Sequence, residues 1–182
     1  TTEIYTLSLH DALPILATST KTAQFRTAIT IGEDARRELV ELLNESLATN
    51  FDLYSQTKQA HWNVKGIHFF ELHKMFDEIA EMIEPYTDAL AERVTTLGGV
   101  AFGTVRMAGS SSILEEFPTE PYDGKAYLQA LAARYAKYGG QLRDAAVRAE
   151  ELGDLSTNDL FVEVSRAVDQ GLYFIEAHLQ GQ

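Results

Sequence analysis

The chain has 182 residues, 45% of them hydrophobic, enough for one domain with a sizeable buried core, and this excludes wholesale disorder. It holds no cysteine, so disulfide frameworks and thiolate metal sites are excluded and His, Asp and Glu remain as the ligand vocabulary. The formal net charge is -12, with the Lys and Arg scattered, which opposes nucleic-acid binding, and no apolar run reaches the about 18 residues of a membrane-spanning helix.

Residues 1–15, TTEIYTLSLHDALPI, show no cap and no helical period that continues into residue 16 and beyond. They resemble the conceptual translation of a sequencing-adapter oligonucleotide and are expected to be a non-native segment, His10 included. Leaving out Glu3 and Asp11 moves the charge from -12 to -10, so the acidic balance stands. Residues 16–30 read as a polar N-terminal tail and residues 31–182 as the folded domain. In that domain Leu39, Leu42, Leu43, Leu47, Phe51 and Tyr54 recur at three- and four-residue steps, which predicts one long amphipathic helix. Gly66 marks a break. A second stripe runs from Phe69 through Leu72, Phe76, Ile79, Ile83, Leu90, Val94 and Leu97 to Gly98 and Gly99, with Pro85 as a bend inside the helix. Residues 99–121 predict a long connection bearing a short helix near SILEEF. A third helix is expected over about 123–152, stopped by Gly153, and a fourth from behind DLSTND to about Leu179. Two long helices, a long crossing and two more long helices define an all-α, ferritin-like four-helix bundle.

Bundle cores house metal sites, but the Glu-x-x-His that a di-iron site inside one bundle requires is absent. The stretch HWNVKGIHFFELHKMFD, His61 to Asp77, gathers three of the five histidines. On a helix advancing about 100° and 1.5 Å per residue, His73 and Asp77 share a face, Asp88 and Glu92 share a face, and the two pairs point the same way about 16 Å apart. No single ion reaches both pairs within one chain. The pairs lie symmetrically about residues 82–83, so two copies crossing antiparallel on a two-fold axis bring His73 and Asp77 of one chain to Asp88 and Glu92 of the other, twice. His61, near the end of the first helix, is placed to add a nitrogen on the His73 and Asp77 side.

With its continuation DALAERVTTLGG, the stretch HWNVKGIHFFELHKMFDE resembles the Dps family, mini-ferritins named for DNA protection during starvation, and the resemblance extends over nearly all of residues 28–180. It implies a homododecameric hollow shell of tetrahedral symmetry with ferroxidase centres between two-fold-related subunits. By position it implies that His61, His73 and Asp77 of one subunit and Asp88 and Glu92 of another hold a di-iron centre, with zinc as a substitute ion. The implied activity is oxidation of Fe(II), by hydrogen peroxide in preference to dioxygen, and storage of Fe(III) mineral with protection from oxidative damage. The implied setting is the bacterial cytoplasm, with nucleoid association compatible with it.

Carboxylates at Asp77, Asp88 and Glu92 offset the charge of Fe(II) and favour Fe(III), and neutral imidazoles at His61 and His73 leave positions for an oxidant. Trp62, beside a ligand, is either an electron donor to a stray oxidising species or a packing residue. Asp154, Asp159 and Glu163 resemble the family segment that lines acidic pores at three-fold axes; a capped, solvated helix start is the alternative. Glu78 and Glu81 either face the cavity and nucleate mineral or are simply solvated. His68 departs from the family pattern and is expected at an exposed turn, and His178 is expected to partner the end of the last helix. Pro85 falls between the ligand pairs, where a kink bears on both. The tail offers only Lys21 and Arg26, so direct DNA binding is disfavoured. A DNA-compacting structural shell and a metal-free helical scaffold are the competing readings.

Overall fold

The computed structural model describes residues 25–120 and 122–180. The segment 1–15 with His10, and residues 16–24 of the tail, lie outside the described residues. α1 (Glu33–Asn63) opens with Glu33 and Asp34 in its first turn, where carboxylates meet the positive end of the helix dipole. Its core side carries Leu39, Val40, Leu43, Leu47, Leu53 and Ala60, while Phe51 and Tyr54 of the expected stripe stay half-buried. Gly66, at φ 111, makes the turn after α1.

The expected second helix is two: α2 (Phe69–Ile83) and α3 (Pro85–Thr96), joined by Glu84 in right-handed helical conformation. The physical reason is Pro85, which has no N–H to donate, and Thr87 N–H turns to the Glu84 carbonyl three residues back at 3.0 Å. α2 and α3 both pack against α1 through Phe76, Ile79, Ile83, Leu90 and Val94.

The short crossover helix lies earlier than expected. α4 (Val105–Ser111) is capped by the Thr104 hydroxyl, and Ser112 leaves it at ψ 141, so SILEEF is extended rather than helical. The Ser112 hydroxyl donates to Asp52 at 2.6 Å, and Arg134 donates to the carbonyl of Glu116 at 2.6 Å, which ties the crossing to α1 and the third long helix. That helix, α5 (Gly124–Glu151), is capped by Asp123. α6 (Leu155–Leu179) begins inside DLSTND rather than behind it, because Asp154 is its cap and accepts from the N–H groups of Ser156 and Thr157. α5 and α6 pack closely, with Gly171 against the ring of Tyr135. Tyr135 and Tyr138 are fully buried and both hydroxyls are partnered, with Thr57 at 3.2 Å and the Ser46 carbonyl at 3.1 Å. α1, α2 with α3, α5 and α6 form the bundle, and α4 rides on the crossing. Among the described residues no helix is long and apolar enough to cross a membrane.

Candidate metal centre

His61 ends α1 and His73 lies in the second turn of α2, so the short turn at Gly66 folds them together. Their rings stack with centroids 3.8 Å apart. Each Nδ1 meets the other residue's backbone carbonyl, His61 to His73 O at 2.6 Å and His73 to His61 O at 2.8 Å. A carbonyl only accepts, so each Nδ1 carries a proton, and in the neutral ring the lone pair then lies on Nε2. This is the tautomer and orientation a metal-binding imidazole needs, fixed from behind by the main chain.

Asp77 follows one turn after His73. Its Oδ1 is 3.9 Å from His61 Nε2, a gap that two metal–ligand bonds of about 2.1 Å each can span. The same Oδ1 accepts a hydrogen bond from the Lys58 amino group, one turn before His61 on α1. That bond holds the Asp77 carboxyl below the usual carboxylate range, and Asp77 in return raises the Lys58 ammonium. Asp88 and Glu92 stand exposed on successive turns of α3. The structure thus brings His61, His73 and Asp77 together and leaves Asp88 and Glu92 apart from them. Among the described residues, no group of three His, Asp or Glu side chains is placed to hold a metal ion within one chain.

The other sequence candidates divide. Trp62 is 61% exposed beside His61. Glu78 and Glu81 are exposed on α2, and Asp159 and Glu163 are exposed on α6, where Glu163 lies close enough to Tyr86 to add to the upward push of burial on its hydroxyl. Asp154 is different in kind. It is 3% exposed and takes two hydrogen bonds from the Arg93 guanidinium at 2.8 and 2.7 Å as well as one from the Thr157 hydroxyl, so it caps α6 and pairs a half-buried cation instead of presenting a carboxylate to solvent. Burial pushes its carboxyl up, but the bonds from Thr157 and Arg93 outweigh this and hold it below the ordinary value. His68 is exposed at the start of α2, and His178 Nδ1 bonds the Phe174 carbonyl at 2.7 Å near the end of α6. Sequence reasoning missed Lys58, whose only signal is its position one helical turn before His61.

A family model of the ferritin-like domain matches residues 40–181, and together with the helical bundle it defines a ferritin-like protein. A DNA protection during starvation protein of Agrobacterium fabrum is 38% identical over 155 residues, which is 85% of this chain and 96% of that protein. The structure of DpsC from Streptomyces coelicolor matches with TM-score 0.82 at 32% identity, covering 86% of this chain and 92% of that one. The Dps protein from Vibrio cholerae O1, described as a member of a broad superfamily of ferritin-like diiron-carboxylate proteins, matches with TM-score 0.78 at 28% identity, over 88% of this chain and 99% of its own. The chain belongs to the Dps family of DNA protection during starvation proteins.

Proposed function

We propose that the protein is a ferroxidase and iron store, which oxidises Fe(II) at centres shared by two copies of the chain and keeps the Fe(III) inside a homododecameric shell. The observation that carries this reading is the reciprocal His61 and His73 clamp, which ties both Nδ1 atoms to the main chain and leaves His61 Nε2 3.9 Å from Asp77 Oδ1. Fe(II) is the substrate. His61, His73 and Asp77 of one chain and Asp88 and Glu92 of the other bind it, and Lys58 keeps Asp77 satisfied until the ion displaces the ammonium. The Vibrio cholerae relative's description as a diiron-carboxylate protein supports iron as the ion.

The preferred oxidant is hydrogen peroxide. Two Fe(II) each give one electron, the O–O bond breaks, and with two protons the products are two Fe(III) and two waters, so no hydroxyl radical is released. Trp62 stands ready to reduce an oxidising species that escapes this pairing. Asp159 and Glu163 line the acidic path for iron, and Glu78 and Glu81 start the mineral. Zinc competes for the same ligands. Protection of DNA by this chain, which works in the bacterial cytoplasm, comes from removing iron and peroxide rather than from DNA contact, which the net charge of -12 disfavours.

The test is gel filtration with iron analysis after anaerobic Fe(II) and then peroxide. Iron is expected to elute with a dodecamer of 20.2 kDa chains, and H73A is expected to elute without it. An iron-free wild-type shell overturns the reading.

A further inference from the structure

The break at Pro85 sits between the two halves of the proposed centre, and one side chain spans it. Asn50, fully buried in the middle of α1, donates from Nδ2 to the carbonyl of Ile83 at 2.9 Å and to Oγ1 of Thr87 at 2.9 Å. Ile83 is the last residue of α2, so its carbonyl has no ladder partner within that helix. Thr87 lies in the first turn of α3, next to Asp88. Both amide hydrogens of Asn50 are therefore spent on the two sides of the break. Its Oδ1 is buried with no hydrogen-bond partner among the described residues, a cost that the two donated bonds offset. On α1 the buried neighbours of Asn50 are the aliphatic Leu47 and Leu53 and the polar Ser46 and Thr49, and of these polar residues Asn50 is the one that reaches both sides of the break.

We propose that Asn50 is a positioning residue for the metal centre: by joining the end of α2 to the start of α3 across Pro85, it sets the direction of α3 and so the placement of Asp88 and Glu92 against the partner's half-site. This rests on the ferroxidase reading. The lever is long. Glu92 stands about 12 Å along α3 from Glu84, so a tilt of about 10° at the break moves its backbone about 2 Å. Metal–ligand distances tolerate only about 0.2 Å. In a two-fold arrangement the same tilt acts on both copies and both centres.

The test uses Co(II) as the probe, titrated into the assembled full chain and read by its visible absorption spectrum. The wild-type chain is expected to give a spectrum that H73A abolishes. Asn50→Leu is expected to bind Co(II) at least about tenfold more weakly, as loss of an orienting shell around a metal does, and with altered band positions. Thr87→Val, which removes one acceptor and keeps the shape, is expected to shift the same way by less, and it serves if N50L does not assemble. Pro85→Ala restores a donor to the helix ladder, so that in a P85A chain N50L is expected to leave the affinity unchanged. A wild-type chain with no His73-dependent spectrum defeats the ferroxidase reading itself. A normal wild-type spectrum together with N50L or T87V chains that melt lower yet match it in affinity and band positions defeats only the positioning role.

Discussion

The proposed sharing of the centre between two copies makes a quantitative demand on mixtures of defective chains. His73 and Asp77 lie on α2 and Asp88 and Glu92 on α3, and the helical rise puts Asp77 and Asp88 about 16 Å apart along the chain. Take H73A and E92A chains, each inactive alone because each spoils every centre it forms with itself. Dissociated, mixed in equal amounts and reassembled at random, half of the two-fold pairs contain one chain of each kind. Each such pair has one centre with both lesions and one with none, so about a quarter of all centres are intact. The initial rate of Fe(II) oxidation by peroxide, followed as Fe(III) absorbance per mole of chain, should recover to about a quarter of the wild-type rate. A mixture of H73A and D77A, whose lesions fall on the same half, should recover nothing. No recovery from H73A with E92A, or equal recovery from the control mixture, refutes the shared centre.

Removing the cation from Asp154 by Arg93→Met leaves a buried carboxylate unpaired and should cost about 3–5 kcal/mol in urea unfolding at fixed protein concentration; a loss below about 1 kcal/mol contradicts the role given to the pair. Because the folded Asp154 carboxyl sits below the ordinary aspartate value, its contribution is fully present above the unfolded value of about 3.9 and is lost as pH falls through the lower folded value. The stability gap between wild type and D154N should therefore narrow in acid and hold steady from pH 5 to 7, roughly the range over which neither form titrates. Gly171→Ala would place a methyl carbon 2.6 Å from Tyr135 Cε1. The expected cost is about 1–3 kcal/mol, and an unchanged thermal midpoint would show that α5 and α6 can part more easily than their packing suggests. Lys58→Met frees the Asp77 carboxylate from its competing ammonium, so Co(II) should bind more tightly; weaker binding would mean that Lys58 organises the half-site rather than occupying it.

The apolar stripes of Leu39 to Leu47 and of Phe69 to Leu97 announce long helices because burial on one face requires them, and the paired spacing of His73 with Asp77 and Asp88 with Glu92 is legible for the same reason. What the spacing cannot carry is the partner of each polar group across the bundle. Asp154 shares a segment with Asp159 and Glu163, a pattern that reads as one acidic strip, yet it sits at a helix cap and meets Arg93 from α3, which no count along α6 reveals. Pro85 signals an interruption, but not that Asn50 repairs it. Asn50 lies one residue before Phe51 of the α1 stripe, and no spacing along α1 reveals its contact with Ile83 and Thr87. The short helix falls outside SILEEF, despite the richer apolar content of that stretch, because the cap that starts it is Thr104.

In the proposed shared centre, Lys58 and Asn50 each satisfy polar groups of one half of the site when no metal is bound. A naked Asp77 beside two imidazoles with inward lone pairs would be a poor resting state; the Lys58 ammonium supplies the missing positive charge, and the His61 and His73 rings satisfy each other's backbone. Asn50 does the corresponding service for the other half, because α3 would otherwise join α2 through a turn with an unpaired carbonyl at Ile83. The half-sites are thus built to wait. If the metal completes its ligand set only when two copies meet, as proposed, binding and association strengthen each other by the same free energy. On the proposed function, occupied centres hold the pair together, and a chain apart from its partner has little hold on iron.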